Sequence, residues 1–164
     1  MAGIFKANDI VRAAVEAEKK GEEFYTCLAG RVKNERIQEL FKDLAREEIR
    51  HREIFQALLD RLEPVDVPAY SDSDEYQAYF DALINSHMLF SCGWGEFLLD
   101  QVANEREALK LAMTFERDSL LFFKEMKDFV PQGEQQFVQQ CIDEERKHLM
   151  RLKELMPEDE AQSS

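Results

Sequence analysis

Apolar side chains recur every three and four residues along four long stretches of this chain, the period of a helix that buries one face. From about Asn8 to Ala29 the stripe is Val11, Ala14, Val15, Tyr25, Leu28 and Ala29. From about Asn34 to Leu62 it is Ile37, Leu40, Phe41, Leu44, Phe55, Leu58, Leu59 and Leu62. Only Gly30 to Lys33 lies between them, so the spacing predicts an antiparallel helical hairpin, ended by Pro64 and Pro68. The third stretch opens at Asn104, an N-cap with Glu107 three residues on, and runs through Leu109, Ala112, Met113, Leu120, Phe123 and Met126 to Val130. Beyond the turn residues Pro131 and Gly133, the fourth carries Phe137, Val138, Cys141, Ile142, Leu149, Leu152 and Leu155 and stops at Pro157.

About forty residues join the two hairpins, long enough for the one-crossover form of a four-helix bundle. Ser71 to Asp74 reads as a helix start, and Tyr76, Tyr79, Phe80, Leu83 and Ile84 predict a short extra helix inside that crossover. Ser91 to Gly95 breaks it, and Phe97, Leu98 and Leu99 are expected to pack back on the bundle. The expectation is an all-α fold with one domain over residues 1–157. The acidic tail 158–164 is expected to be disordered.

Composition narrows the partners. Apolar residues are 45% and charged residues 34% of the chain, a soluble balance suited to long amphipathic helices. A formal charge of -13 argues against nucleic acid, which needs a basic face, and against an anionic membrane surface. The same acidity favours cations. Cys27, Cys92 and Cys141 are too few and too scattered for a disulfide framework or a Cys-x-x-Cys knuckle; Cys27 and Cys141 read as buried small hydrophobes. With no signal-like stretch at Met1 to Ile10 and no membrane-length apolar run, a cytoplasmic location is expected.

Charges on the apolar faces carry the chemistry. Each hairpin has a glutamate on its first helix and Glu-x-x-His on its second: Glu18 with Glu48 and His51, then Glu116 with Glu145 and His148. Glu48 follows Glu18 by 30 residues and Glu145 follows Glu116 by 29, close to a structural repeat. On a helical wheel Glu48 falls in the arc of Ile37, Phe41, Leu44, Phe55 and Leu62, with His51 about 60° away on that arc. Glu145 falls among Val138, Cys141, Leu149 and Leu152, Glu116 among Leu109, Ala112, Leu120 and Phe123, and Glu18 among Val11, Ala14 and Tyr25. Desolvating an ion costs several kcal/mol, so inward carboxylates need partners. No Lys or Arg stands at matching positions, whereas two divalent cations would balance four carboxylates.

These residues resemble the ferritin-like di-iron superfamily, and within it the rubrerythrin-like branch. The resemblance runs through Ala17 to Tyr25 with Phe41 to His51, then through Phe115 to Phe123 with Asp143 to His148, and covers the chain to about Met156. It implies that Glu48 and Glu145 bridge two metals, that Glu18 and Glu116 are terminal carboxylates, and that His51 and His148 each give one nitrogen. Two iron ions are the implied cofactor, with manganese or a mixed pair as alternatives and zinc disfavoured. Rubrerythrins proper add a rubredoxin domain with paired Cys-x-x-Cys motifs, and these residues hold none. An external electron-donor protein is therefore expected if the site turns over.

The functional expectation is an oxidoreductase that reduces peroxide or O2, or oxidises Fe2+, in an oxidative-stress setting. The alternative is a non-catalytic metal-binding or iron-storage protein, and a homodimer or larger homo-oligomer is expected in either case. Glu22, one turn after Glu18, reads as a partly exposed glutamate sooner than a ligand. Tyr25 reads equally as a core tyrosine or as a donor to a ligating carboxylate. His87 lacks a carboxylate at ligand spacing and reads as structural or exposed, and Trp94 as a packing anchor.

Overall fold

The computed structural model describes residues 7–62, 74–87 and 99–157. Five helices account for most of them: α1 (Ala7–Arg31), α2 (Glu35–Arg61), α3 (Asp74–Ser86), α4 (Glu105–Lys127) and α5 (Gln135–Glu154). The starts of α2 and α4 are capped as their sequences dictate. The Asn34 side chain accepts from the Arg36 and Ile37 amides, and Asn104 accepts from the amide of Glu107. Glu107 reaches back to the Ala103 amide at 3.0 Å, so the first turn of α4 is satisfied from both directions.

α1 packs on α2 and on α4, and α5 packs on α2 and on α4. The four long helices therefore stand at the corners of a square, with α1 diagonal to α5. Leu28 shares a core cluster with Ile37, Leu109 and Leu152, while Val11 shares another with Phe55, Phe123 and Val138. Every neighbouring pair thus runs antiparallel. The end of α2 meets the start of α5 through Arg61 and Glu134 at 2.9 Å. The start of α4 sits at the opposite end, where Glu105 accepts from the Lys33 amide at 3.1 Å and Arg31 pairs with Asp100 at 2.9 Å. The chain between α2 and α4 must therefore travel the length of the bundle, which is the expected single crossover. α3 lies on it and holds Glu125 of α4 through the Tyr76 and Tyr79 hydroxyls.

The helical stripes read from sequence are the buried faces. Val11, Ala14, Tyr25, Leu28, Phe41, Leu44, Phe55, Leu58, Leu109, Ala112 and Val138 are all sealed from solvent. Leu99 packs on the bundle as expected. Cys27 corrects the sequence reading: it is exposed, because the core turn of α1 is made by Phe24, Tyr25 and Leu28, which leaves Thr26 and Cys27 outward. Cys141 is buried. Pro64, Pro68, Trp94, Phe97, Leu98, the side chains of Phe80 and Ile84 and the tail 158–164 lie outside the described residues. Among the described residues no helix is long and apolar enough to cross a membrane.

Candidate metal centre

The two apolar clusters occupy opposite halves of the bundle, and between them lies a polar layer. Each of the four long helices feeds it from its inward stripe. α1 supplies Glu18, α2 supplies Glu48 and His51, α4 supplies Glu116, and α5 supplies Glu145 and His148; all six are buried. The three-residue step between glutamate and histidine puts both side chains of α2, and both of α5, on one face. All six predicted residues converge.

Their polar atoms fall into two groups of four that could each surround one cation. Glu18, Glu48, His51 and Glu145 each place one ligand atom within 4.8 Å of the others, as do Glu48, Glu116, Glu145 and His148. Glu48 and Glu145 belong to both groups. His51 Nδ1 lies 2.9 Å from Glu145 and 3.5 Å from Glu18. His148 Nδ1 lies 3.1 Å from Glu145 and 3.3 Å from Glu116. The two imidazoles stack with centroids 5.6 Å apart.

Hydrogen bonding within this layer is incomplete. Among the described residues, the buried side-chain atoms without a hydrogen-bond partner are both oxygens of Glu18, both of Glu48, one each of Glu116 and Glu145, and His51 Nδ1. All belong to the six residues. Leaving a buried polar group unsatisfied costs about 1–3 kcal/mol, and more if it is charged. A donor set of hard carboxylate oxygens and two imidazole nitrogens, unsatisfied and turned inward, fits a pair of divalent cations.

Without a cation, protons offset the repulsion in this layer. Burial, then repulsion from Glu18 and Glu145, pushes the Glu48 carboxyl well above the usual range. Burial and then Glu145 do the same to Glu116. Burial pulls the imidazoles down, but surrounding carboxylates outweigh it. His51 is raised through Glu144, Glu145 and Glu18, and His148 is raised to about 12, chiefly by Glu116. The arrangement is thus a cage of anions that retains protons, the electrostatic condition a cation would relieve. Burial also raises the Cys141 thiol to about 12, so it stays protonated beside the cage.

Other side chains shape the site. Tyr25, fully buried, donates its hydroxyl to Glu116; burial, then the Glu116 charge, raises its own ionisation, so the proton stays on the phenol. Of the two readings of Tyr25, the donor reading matches the geometry. Glu22 turns away and accepts from Arg52 at 2.6 Å, as a partly exposed glutamate. His87 is buried edge-on against Phe115 and Phe122, with Nε2 3.4 Å from Ser119 Oγ. Burial, then Lys20, lowers it to about 4, and it belongs to neither group of four. Gly21 explains how α1 comes so near: a Cβ there would stand 2.8 Å from Phe115 Cζ and 3.0 Å from Glu48 Oε2.

Two participants escaped the sequence reading. Glu47 accepts from His148 Nε2 at 2.5 Å, and Glu144 accepts from His51 Nε2 at 2.7 Å. The signal was present as a doubled glutamate, Glu-Glu-x-x-His, in both halves. On one helix the first glutamate points about 100° from the second, at the edge of the core arc, so only the packed structure shows that it meets the neighbouring helix.

Comparison with known proteins agrees with this geometry. The sequence model of the rubrerythrin family matches residues 9–156. A crystal structure from Thermotoga maritima, described as a candidate ferritin-like diiron-carboxylate protein, superposes with a TM-score of 0.65 at 26% identity, covering 93% of this chain and 95% of the other. Among curated proteins, none matches.

Proposed function

The chain belongs to the rubrerythrin family, and from that premise we propose that it is a di-iron protein that reduces peroxide or O2 and oxidises Fe2+ in doing so. The observation that carries this reading is the set of unsatisfied buried carboxylate oxygens shared between two overlapping groups of four. Glu18 and His51 would hold one iron, Glu116 and His148 the other, and Glu48 and Glu145 both. Oxygen-rich, imidazole-poor ligation favours iron or manganese over zinc, which prefers a closed tetrahedral shell.

A carboxylate-held iron pair supplies two electrons to one oxidant, because hard anionic ligands favour the ferric state. The protein's share is positional. Tyr25 holds Glu116 in one rotamer through its hydroxyl. The apolar layers above and below, with Phe41 and Phe115 on one side and Phe55 and Phe123 on the other, keep bulk water from the layer. Electrons for repeated turnover would come from outside the bundle.

The test is stopped-flow absorbance of anaerobic, Fe2+-loaded protein mixed separately with H2O2 and with O2. Two irons per chain and a rapid near-ultraviolet ferric band with at least one oxidant are expected. Two bound irons with no oxidation by either would sink the redox reading and leave metal binding alone. Glu48→Gln with Glu145→Gln should abolish the paired uptake.

A further inference from the structure

The doubled glutamates suggest a role for residues that would not themselves touch metal. We propose that Glu47 and Glu144 are positioning residues, each fixing the imidazole of the opposite hairpin so that its Nδ1 faces a metal; the inference rests on the di-metal reading above. The pairing is reciprocal. Glu144 on α5 accepts from His51 Nε2 on α2 at 2.7 Å, and Glu47 on α2 accepts from His148 Nε2 on α5. A carboxylate can only accept, so in each case Nε2 carries a proton, and a cation that displaces the other ring proton from among Glu145 and its neighbours meets the lone pair of Nδ1. Nδ1 is the atom that both groups of four use: it points at Glu145 and Glu18 in His51, and at Glu145, Glu116 and Glu48 in His148.

The two carboxylates are themselves held. Arg50, beside His51 in sequence, pairs with Glu144 at 3.0 Å. Arg151, on the same helix as His148, pairs with Glu47 at 3.1 Å and with Asp43 at 3.3 Å. Each arginine sits on the helix of the imidazole and draws in the carboxylate of the other helix. Both clamps lie at the bundle surface, with Glu144 17% and Glu47 28% exposed. They can therefore be removed without opening the apolar layers.

The connectivity makes the expected effect site-selective. Glu144 supports the imidazole of the group with Glu18, and Glu47 supports that of the group with Glu116. Support of this kind is worth about 10- to 100-fold in metal affinity. The experiment is Mn2+ binding by equilibrium dialysis, with anomalous occupancies from crystals grown at sub-saturating Mn2+ to assign each loss to a position. Glu144→Ala should weaken the position beside His51 about 10- to 100-fold and leave that beside His148 within about threefold; Glu47→Ala should do the reverse. Glu144→Gln and Glu47→Gln, whose amide oxygen still accepts from Nε2, should recover most of the affinity. Equal loss at both positions, or none, overturns the proposal.

A second measurement needs no variant. In Zn2+-loaded wild type, long-range 1H–15N correlation of the two rings should show Nε2 protonated and Nδ1 metal-bound; the opposite tautomer overturns the proposal even if every variant fails to fold. Wild type that takes up no metal pair refutes the di-metal reading itself. Wild type with two metals and indiscriminate variants refutes only the positioning role.

Discussion

Alanine is a better helix residue than glycine by about 1 kcal/mol, so Gly21→Ala in the middle of α1 would ordinarily stabilise the protein. Here the opposite is expected. The new methyl would stand 2.8 Å from Phe115 Cζ, 3.0 Å from Glu48 Oε2 and 3.3 Å from Glu48 Cδ. Carbon atoms rest at about 3.5–4.0 Å, so the phenyl ring must yield by roughly 0.7 Å or more. It has little room: Phe115 is sealed from solvent, with ring centroids 5.3 Å from Phe24 and 5.6 Å from Tyr25. Overpacking of this kind costs about 1–3 kcal/mol. Set against the propensity gain, the net is a loss of up to about 2 kcal/mol, or a fall in Tm of up to about 8 °C for a chain of this size. Because Glu48 belongs to both groups of four, paired metal uptake should weaken as well. Thermal unfolding followed by circular dichroism, with and without Mn2+, measures both effects. A rise in Tm of about 2–4 °C with undiminished metal binding would refute the close approach of α1 to the site.

Tyr25→Phe removes the donor to Glu116 and should lower metal-free stability by about 1–3 kcal/mol in urea titrations, with weaker uptake at the Glu116 position. Stability of the metal-free protein should fall as pH rises. Glu48 and Glu116, raised above 4.5, bind more protons folded than unfolded, so their contribution is present at low pH and lost above 4.5. His51 and His148, raised above 6.5, contribute fully below 6.5 and lose that contribution as pH climbs, for His148 toward about 12. Glu144, held down to about 2 by the bond from His51, acts in the other direction and loses its contribution only as pH falls from 4.5 toward about 2. Metal-loaded protein should show the reverse trend above neutrality, since metal takes the deprotonated ligands; calorimetric Tm values across about pH 5–9 for both forms test this, and a metal-free Tm that climbs with pH contradicts it. Phe55→Ala opens the second apolar cluster, where its ring lies 4.8 Å from Phe123, and should cost about 3–5 kcal/mol while the folded fraction keeps two metals per chain by elemental analysis.

Most of the fold was legible because its helices are long and amphipathic. The stripes at Ile37, Phe41, Leu44, Phe55 and Leu58 needed only a 3.6-residue period to be found. The six inward residues were legible for a related reason: a charge on an apolar arc contradicts the pattern, and Glu48 and Glu145 did so in matching places. The remainder depends on the angle between helices. Cys27 is apolar enough to suggest burial, but it sits just off the arc that Phe24, Tyr25 and Leu28 fill. Glu47 and Glu144 sit at the edge of the arc, and only the neighbouring helix brings each its imidazole. Gly21 looked like a mild helix breaker until Phe115 and Glu48 were placed against it.

The way the helices pair also bears on the order in which the molecule assembles. α1 and α2 touch more extensively than either touches the other hairpin, and α4 and α5 do likewise. Contacts near in sequence form quickly, and those that must close a long loop form slowly. Each hairpin can therefore zip up early, while Glu18 and Glu145, or Glu48 and Glu116, meet only when the halves close. That late step brings like charges together out of water. It is the stage at which a divalent cation would take the place of the protons that the buried carboxylates otherwise retain.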